Sequence, residues 1–337
     1  MQGILFTPNL EELVRIGGYS TKSVGSIQLP GTILKDGPAG FSATLTGGEN
    51  GMAYPPAIVL ASSWNSKLAH DFGTAIGEDS LQLGYAGWYA PSINIHRTPY
   101  SGRNFEYFSE DPILSGMMAA ETVRGAQNKG VIVFVKHFAV NDQEVNRMGG
   151  AMMVDEQAIR ELYLEPFELT VREGGARGMM ASMNRLGPLW VGSNPGLMTE
   201  VLRNEWGFQG VVSTDQASFP VFGYQDLRQG LEAGTDLWLN TDAELWTIPE
   251  GEVDDSLLSN TKRAAHNVAY SVVNSNAMNG LEAGGKLVDV TPLWKIAANI
   301  ATVVLGLGAL LTMAFVTWRL VIQKRSRESV AIDATSK

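Results

Sequence analysis

The chain has 337 residues, of which 18% are charged and 45% hydrophobic, a composition typical of a globular protein rather than a disordered one. Its formal net charge of −10 argues against nucleic acid as a partner, because proteins that bind nucleic acid are usually basic. It contains no cysteine, which excludes a disulfide framework and a thiolate metal site.

Apolar runs with the length of strands alternate with segments of helical periodicity over residues 1–279. One helical segment begins at Asp111 followed by Pro112, a favourable N-cap and first-turn pair. This alternation predicts βα units and a parallel sheet, so we expect an α/β fold with a TIM-type (β/α)8 or near-complete barrel. The predicted strands are 13–17, 31–35, 57–61, 88–95, 131–138, 178–183, 210–215 and 235–239, and the predicted helices are 65–84, 111–128, 155–173, 195–206 and Asp255 to about Asn274.

A long apolar segment lies near the C-terminus. Residues 296–318 carry no charged side chain and, at about 1.5 Å per residue, are long enough to cross a bilayer. Trp294 and Trp318 flank the segment as an aromatic belt would. The alternative is a buried core helix. The position of the segment near the C-terminus and the basic tail after it argue against that alternative. Basic residues are more frequent after the segment (Arg319, Lys324, Arg325 and Arg327) than before it (Lys286 and Lys295), which predicts a single-pass protein of the cell membrane with its C-terminus in the cytoplasm.

We therefore expect four parts: a barrel domain over 1–279 outside the membrane, a linker over 280–294, a transmembrane helix over 295–320 and a basic cytoplasmic tail over 321–337. The residues after Met1 lack the basic region and the apolar run of a signal peptide. Either the membrane helix directs insertion, or the sequence is the downstream part of a longer protein. We favour the second, because the chain begins close to its first predicted strand.

Polar residues stand where several predicted strands end. Asp36 follows strand 31–35, Lys136 and His137 close strand 131–138, and Asp215 ends strand 210–215. In α/β barrels the carboxyl ends of the strands carry the chemistry. Asp215 alone could equally be a helix N-cap, a position that Asp favours. Several charged strand ends on one face are costly unless they share a pocket, so together they predict one.

Further polar residues lie in the loops, namely Arg103, Glu106, Arg147, Asn184 and Arg185. Such a set of donors suits a ligand rich in hydroxyl groups, and aromatic residues nearby (Trp88, Phe105 and Phe138) offer faces on which a sugar ring can stack. The four histidines (70, 96, 137 and 266) have no i, i+4 pairing, so we expect no metal site. A G-x-S-x-G serine hydrolase motif is absent, and we expect no cofactor.

Four segments of the sequence resemble glycoside hydrolase family 3, the β-glucosidase-like enzymes. They are KDGPAG (35–40), SGRNFEYFSEDPILSG (101–116), KHFAVNDQEVNR (136–147) and GFQGVVSTD (207–215), in the order found in the family. The resemblance covers roughly residues 13–279. It implies a TIM-type barrel, or a variant that lacks one strand, and hydrolysis of terminal β-linked sugars with retention of configuration.

The resemblance also implies roles for individual residues. Asp215 matches the catalytic nucleophile, and Met183 falls where family members often have an aromatic residue or Met beside that nucleophile. A retaining nucleophile must be ionised, and neighbouring cations favour that form. The residues that match those binding the hydroxyl groups of the sugar are Asp36, Arg103, Lys136, His137 and Arg147.

Two features depart from the family. Gln216 occupies the position after the nucleophile, which is usually aromatic. The acid/base of the family is usually a Glu from a second, α/β sandwich domain, and no such domain follows residue 279. Glu106, Asp142 and Glu144 are the acidic residues within the motifs, and none matches that acid/base. Residues 272–280 resemble the end of the barrel in members with swapped domain order, so we expect a domain-permuted member whose sandwich domain precedes Met1.

Three functions stay open at this point. The first is a membrane-anchored β-glycosidase barrel whose acid/base comes from another domain. The second is a carbohydrate-binding or sensing protein that keeps the sugar pocket but does not hydrolyse. The third is a barrel enzyme of another class, such as an aldolase that forms a Schiff base on Lys136, although that function leaves the long motifs unexplained.

Overall fold

A computed structural model describes residues 19–44, 47–240, 246, 248–278 and 291–335. The chain divides into two compact units, Met1–Asn279 and Gly280–Lys337. The predicted strand 13–17 lies outside the described residues.

The first unit is built on a curved, mostly parallel sheet. The strands of the described residues are β1 Tyr19–Thr21, β2 Thr32–Asp36, β3 Gly87–Tyr89, β4 Ile132–Phe138, β5 Ala151–Met152, β6 Gly178–Ala181, β7 Arg185–Leu186, β8 Leu189–Trp190, β9 Val211–Gln216 and β10 Leu237–Leu239. The order within the sheet is β1-β2-β3-β4-β6-β9-β10, and in this described part β1 alone runs antiparallel to its neighbour. Tyr19 on β1 hydrogen-bonds Gln216 on β9, so the sheet curls into a nearly closed, barrel-like form.

Helices connect the parallel strands. The helices are α1 Ala57–Ala61, α2 Ser66–Leu83, α3 Pro112–Gln127, α4 Glu156–Ala158, a π-helical segment Ile159–Leu164, α5 Glu165–Arg172, a π-helical segment Gly196–Glu205, α6 Leu227–Ala233, α7 Asp255–Val273 and α8 Leu293–Thr335. The N-cap of α2 is Asn65, whose side chain accepts a hydrogen bond from Leu68 N, and its C-cap is Gly84, whose φ of 70° favours glycine. The N-cap of α3 is Asp111, whose side chain accepts hydrogen bonds from Ile113 N and Leu114 N, as the Asp-Pro pair predicts.

The prediction of a strand over 57–61 is wrong, because this segment is helix α1. A five-residue apolar run does not distinguish a strand from a buried helical turn. Here Pro56 precedes the run and serves as the N-cap residue. Leu60 and Ala61 are buried while Val59 is 55% exposed, the one-sided burial of a surface helix.

Other predicted elements differ in extent. The strand predicted over 88–95 is shorter, since β3 ends at Tyr89 and Pro91, which has no N–H to donate, follows. The sequence interpretation also missed β1 and a small sheet of β5, β7 and β8. These strands have two or three residues each, too few for a periodic pattern.

A buried ion pair lies beneath β9. Asp236 is fully buried, and its carboxylate accepts from Arg203 Nη2 at 2.6 Å, from Val212 N at 2.9 Å and from Asn267 Nδ2 at 3.0 Å. One carboxylate therefore connects the π-helical segment Gly196–Glu205, strand β9 and helix α7.

We expect Asp236→Ala to lower the free energy of unfolding by about 3–5 kcal/mol, because it leaves Arg203 in the interior without its partner. Denaturant unfolding of the full chain in detergent measures this loss. The matched control is Asp71→Ala, which removes an exposed partner of Lys67 and is expected to cost less than about 1 kcal/mol. Equal effects of the two substitutions would contradict the importance of the buried pair.

The second unit consists, in its described part, of helix α8. Residues Leu293–Arg319 are long and apolar enough to cross a membrane, by length and composition, and none of the most apolar window is buried within the protein. Large apolar side chains such as Leu305 and Leu311 are 74% and 72% exposed.

Candidate active site

A cavity of about 910 Å³ opens at the carboxyl ends of strands β2, β4 and β9. Its size is within the range of pockets for small molecules. The structure brings all seven residues of the sequence-predicted site to its wall: Asp36, Arg103, Lys136, His137, Arg147, Met183 and Asp215.

Asp36 and Lys136 form the central ion pair of the cavity. Lys136 Nζ donates to Asp36 Oδ1 at 2.7 Å, and Gly37 N donates to the same oxygen at 2.8 Å. The Lys136 side chain is 4% exposed and that of Asp36 is 44% exposed, so the carboxylate is the partner that faces the cavity. Its position within the cavity still removes part of its water shell and favours the neutral acid, but the charge and hydrogen bond of Lys136 outweigh this effect and hold the pKa of Asp36 below its usual value. The pair keeps an anionic acceptor in the wall.

Arg103 is held by a buried glutamate. Its Nε donates to Glu106 Oε1 at 2.6 Å, and Ser92 Oγ donates to Glu106 Oε2 at 2.5 Å. Both oxygens of Glu106 are therefore occupied, and the residue is 5% exposed. Glu106 therefore orients the guanidinium group of Arg103 within the wall.

A second glutamate joins the two arginines of the cavity. Glu144 Oε2 lies 2.9 Å from Arg147 Nη1, and Glu144 Oε1 lies 3.6 Å from Arg103 Nη1. Asn141 Nδ2 donates to Glu144 Oε1 at 3.0 Å. Glu144 thus connects the loop that carries Arg103 with the loop that carries Arg147.

Asp215 and His137 face each other across the cavity wall. His137 Nε2 lies 4.0 Å from Asp215 Oδ2, too far for a hydrogen bond. Burial, reinforced by the charges of Arg103, Lys136 and Arg147, lowers the pKa of His137 well below its usual value, so the ring is neutral and the contact is not an ion pair. Gln216 N donates to Asp215 Oδ1 at 2.7 Å. Within the described residues Asp215 Oδ2 has no hydrogen-bond partner.

The main chain of His137 is fixed by a side chain from the loop after β3. Asn94 Nδ2 donates to His137 O at 3.0 Å, and His137 N donates to Asn94 Oδ1 at 2.9 Å. The Lys136–His137 peptide bond is cis. This two-point contact sets where the imidazole enters the cavity.

Of the aromatic residues expected to stack on a sugar, Phe105 lines the cavity and is 59% exposed. Trp88 and Phe138 are fully buried and do not line it, so that part of the interpretation is wrong. Trp88 Nε1 donates to Gly37 O, and Phe138 packs edge-on against Phe167. Both residues lie on strands, where large aromatic side chains fill the layer between sheet and helices.

The sequence interpretation missed part of the wall. Tyr19, Tyr89, Met180 and Leu239 form one side of the cavity, and much of segment 37–57 forms another. Segment 37–57 contains Gly37, Gly40 and Gly51, and this glycine content was the available signal.

Asp142 is a buried carboxyl outside the cavity wall. It accepts from Ile95 N at 2.7 Å, and burial raises its pKa to about 7. It does not line the cavity, so it connects two loops rather than facing a ligand. Across the described residues no three His, Asp or Glu side chains cluster as metal ligands would.

Known proteins resemble the chain in sequence and in fold. The model of the glycosyl hydrolase family 3 N-terminal domain matches residues 5–270. A β-glucosidase of Rhizobium radiobacter is 38% identical over 221 residues, which are 65% of this chain and 26% of that protein. An exo-α-(1→6)-L-arabinopyranosidase of Bifidobacterium breve is 40% identical over 206 residues, 58% of this chain and 27% of that protein. A structure of β-glucosidase 3B from Thermotoga neapolitana in complex with glucose matches with a TM-score of 0.71 and 33% identity, covering 82% of this chain and 41% of that one.

The matched region includes nearly all of the first unit. The chain belongs to glycosyl hydrolase family 3, which confirms the family expected from its motifs. It spans about a quarter of the length of the two curated relatives.

We expect the folded chain to keep His137 neutral at pH values well below the ordinary pKa of a histidine. Below its ordinary pKa near 6.5, an unfolded chain binds a proton on this ring that the folded chain does not, so the folded state loses up to about 1.36 kcal/mol of stability per pH unit. Ring ¹⁵N shifts of histidine-labelled full chain would show one imidazole that does not titrate. His137→Gln should remove this contribution and make the slope of stability against pH less positive below about pH 6.5, and an unchanged slope would contradict the assignment.

Proposed function

We propose that the first unit is the barrel domain of a retaining glycoside hydrolase that acts on terminal β-linked sugars, with Asp215 as nucleophile. The observation that carries this proposal is the convergence of six residues from the four motifs, together with Met183, on one cavity. The activities by which two relatives are named, β-glucosidase and exo-α-(1→6)-L-arabinopyranosidase, support a pyranoside substrate.

The contacts of the wall suit the binding of a neutral sugar. Asp36 accepts hydrogen bonds from the hydroxyl groups of the sugar. Lys136, Arg103 and Arg147 donate hydrogen bonds to those groups. Met183 contacts the sugar ring. Because each of these charges has a partner of opposite sign, the cavity can hold hydroxyl groups without an unpaired buried charge. His137, which is neutral, offers one donor and one acceptor.

In the proposed reaction, a carboxylate oxygen of Asp215 attacks the anomeric carbon and the bond to the leaving oxygen breaks. A second carboxylic acid gives that oxygen its proton. Water then attacks the glycosyl ester, passes a proton to the same second group and releases the sugar with retained configuration. Asp215 supplies the nucleophilic half of this sequence.

The second carboxyl group comes, in our proposal, from another domain, as the family resemblance implies. Retaining enzymes place the two carboxyl groups about 5–5.5 Å apart. Among the described wall residues the other carboxylates are Asp36 and Glu106, and both are engaged by cations. The same observation favours a second candidate function, a carbohydrate-binding or sensing barrel that does not hydrolyse.

A fluorinated substrate with a good leaving group separates the two functions, because such a leaving group needs little help from an acid. We expect the full chain to release dinitrophenol once from 2,4-dinitrophenyl 2-deoxy-2-fluoro-β-glucoside, and mass spectrometry of peptides to locate the glycosyl ester on Asp215. Asp215→Asn should abolish the burst.

The control for this experiment is Glu232→Gln, which alters an exposed carboxylate paired with Arg228 and should leave the burst unchanged. Reversible binding of β-glucosides without any ester would favour the sensing function. An ester on a residue other than Asp215 would refute the assigned nucleophile.

We also propose that helix α8 anchors the protein in the cell membrane, with the barrel outside, a linker over 280–294, the span over 295–320 and a cytoplasmic tail over 321–337. The length and apolar composition of Leu293–Arg319 and the basic residues that follow support this arrangement.

Protease treatment of intact cells tests the orientation. Protease added outside should digest an epitope in the exposed segment before α2 and spare one fused after Lys337. Leu305→Arg together with Leu311→Arg places charges at the centre of the span, at about 2.5–3.5 kcal/mol each, and should release the protein from the membrane. Retention of that variant, or digestion of the C-terminal epitope, would overturn the proposed anchor.

A further inference from the structure

Gln216 lies in the cavity wall directly after the proposed nucleophile. Its backbone is fixed on both sides, since Gln216 N donates to Asp215 Oδ1 at 2.7 Å and Gln225 Nε2 donates to Gln216 O at 3.0 Å. The start of the side chain is therefore held next to Asp215.

Tyr19 sets the direction of the Gln216 amide. Its hydroxyl group, carried by strand β1, donates a hydrogen bond to Gln216 Oε1 at 3.1 Å. Burial, and next the charge of Asp215, raise the pKa of Tyr19 to about 12, so the phenol keeps its proton at neutral pH. The ring of Tyr19 packs edge-on against Tyr89 with centroids 6.2 Å apart, which limits its movement.

The NH₂ group of Gln216 remains available. Within the described part of the chain Gln216 Nε2 has no hydrogen-bond partner. This nitrogen is also not fully buried, so a ligand can reach it. The negative charges of Asp215 and Asp36 favour an NH₂ group over a carbonyl oxygen on the side of the cavity. Gln216 thus presents a donor where an aromatic residue would present a flat face.

We propose that Gln216 determines specificity by donating a hydrogen bond from Nε2 to the leaving group, and that Tyr19 is a positioning residue that acts through it. The substrate class is a β-glycoside whose leaving group is itself a sugar, in preference to a flat aryl glycoside. In the proposed function, the hydroxyl groups of the cleaved sugar find their hydrogen-bond partners in Asp36, Lys136 and the two arginines. The NH₂ group of Gln216 is therefore left to donate to the leaving group. This inference rests on the proposed function.

Two ligands that resist hydrolysis test the proposal with the full chain in detergent. Thio-linked cellobiose and phenyl 1-thio-β-glucoside share the glucosyl–sulfur unit and differ in the group attached to it. We expect Gln216→Leu to weaken binding of thiocellobiose about three- to tenfold, the range of one hydrogen bond, and to change binding of the phenyl ligand less than twofold. Titration calorimetry measures both dissociation constants.

Tyr19→Phe separates a positioning role from a structural one. As a single substitution it should weaken the binding of thiocellobiose. Added to Gln216→Leu it should have no further effect, because Tyr19 acts through the amide of Gln216. Tyr163→Phe, which alters a hydroxyl group outside the cavity wall, is the matched control and should leave both constants unchanged.

The outcomes distinguish this inference from the proposed function. If the wild-type chain binds neither ligand, the proposed glucoside function fails and the inference fails with it. If the chain binds both ligands and Gln216→Leu leaves their ratio unchanged, or weakens both equally, the role of Gln216 is refuted while the proposed function stands. Additive effects of Tyr19→Phe and Gln216→Leu would refute the positioning role of Tyr19.

Discussion

The ion pair between Lys136 and Asp36 is the constraint on which the cavity depends. All seven residues of β4 are buried, so a charged ammonium group near its end is costly unless a fixed anion lies beside it. Asp36 at the end of β2 provides that anion across the intervening strand β3. Because the pair sits at the carboxyl ends of two strands, it also sets where a ligand meets its first charged groups.

The arginines of the wall follow the same rule. Arg103 and Arg147 are balanced by Glu106 and Glu144, and His137 avoids a charge altogether. Among the described wall residues Asp215 is a carboxylate without a cationic partner, while the paired groups around it offer many oriented donors and acceptors. Such a surface matches the chemistry of a neutral sugar, whose hydroxyl groups both donate and accept.

The sequence was sufficient for the residues that end long strands, because an apolar run that stops at a charged residue shows both the strand and the position of its end. Asp36, Lys136, His137 and Asp215 were found in this way.

The sequence was insufficient for short elements such as β1, whose three residues have no period, and for 57–61, where an apolar run fits both a helix and a strand. Tyr19 and Tyr89 were missed because the approach of distant strands is a tertiary property. Trp88 and Phe138 were misplaced because strand neighbours face opposite sides of a sheet.

Glu144 has a consequence for how this protein could change over evolution. One carboxylate balances guanidinium groups from two loops, 101–106 and 141–147, so neither loop is an independent module. Replacing one arginine changes the electrostatic environment of the other, and the effects of such replacements need not add. A lineage that acquires a new sugar preference through one loop would therefore have to adjust the second loop at the same time. Exchange of both loops together between relatives is the simpler route to a new preference.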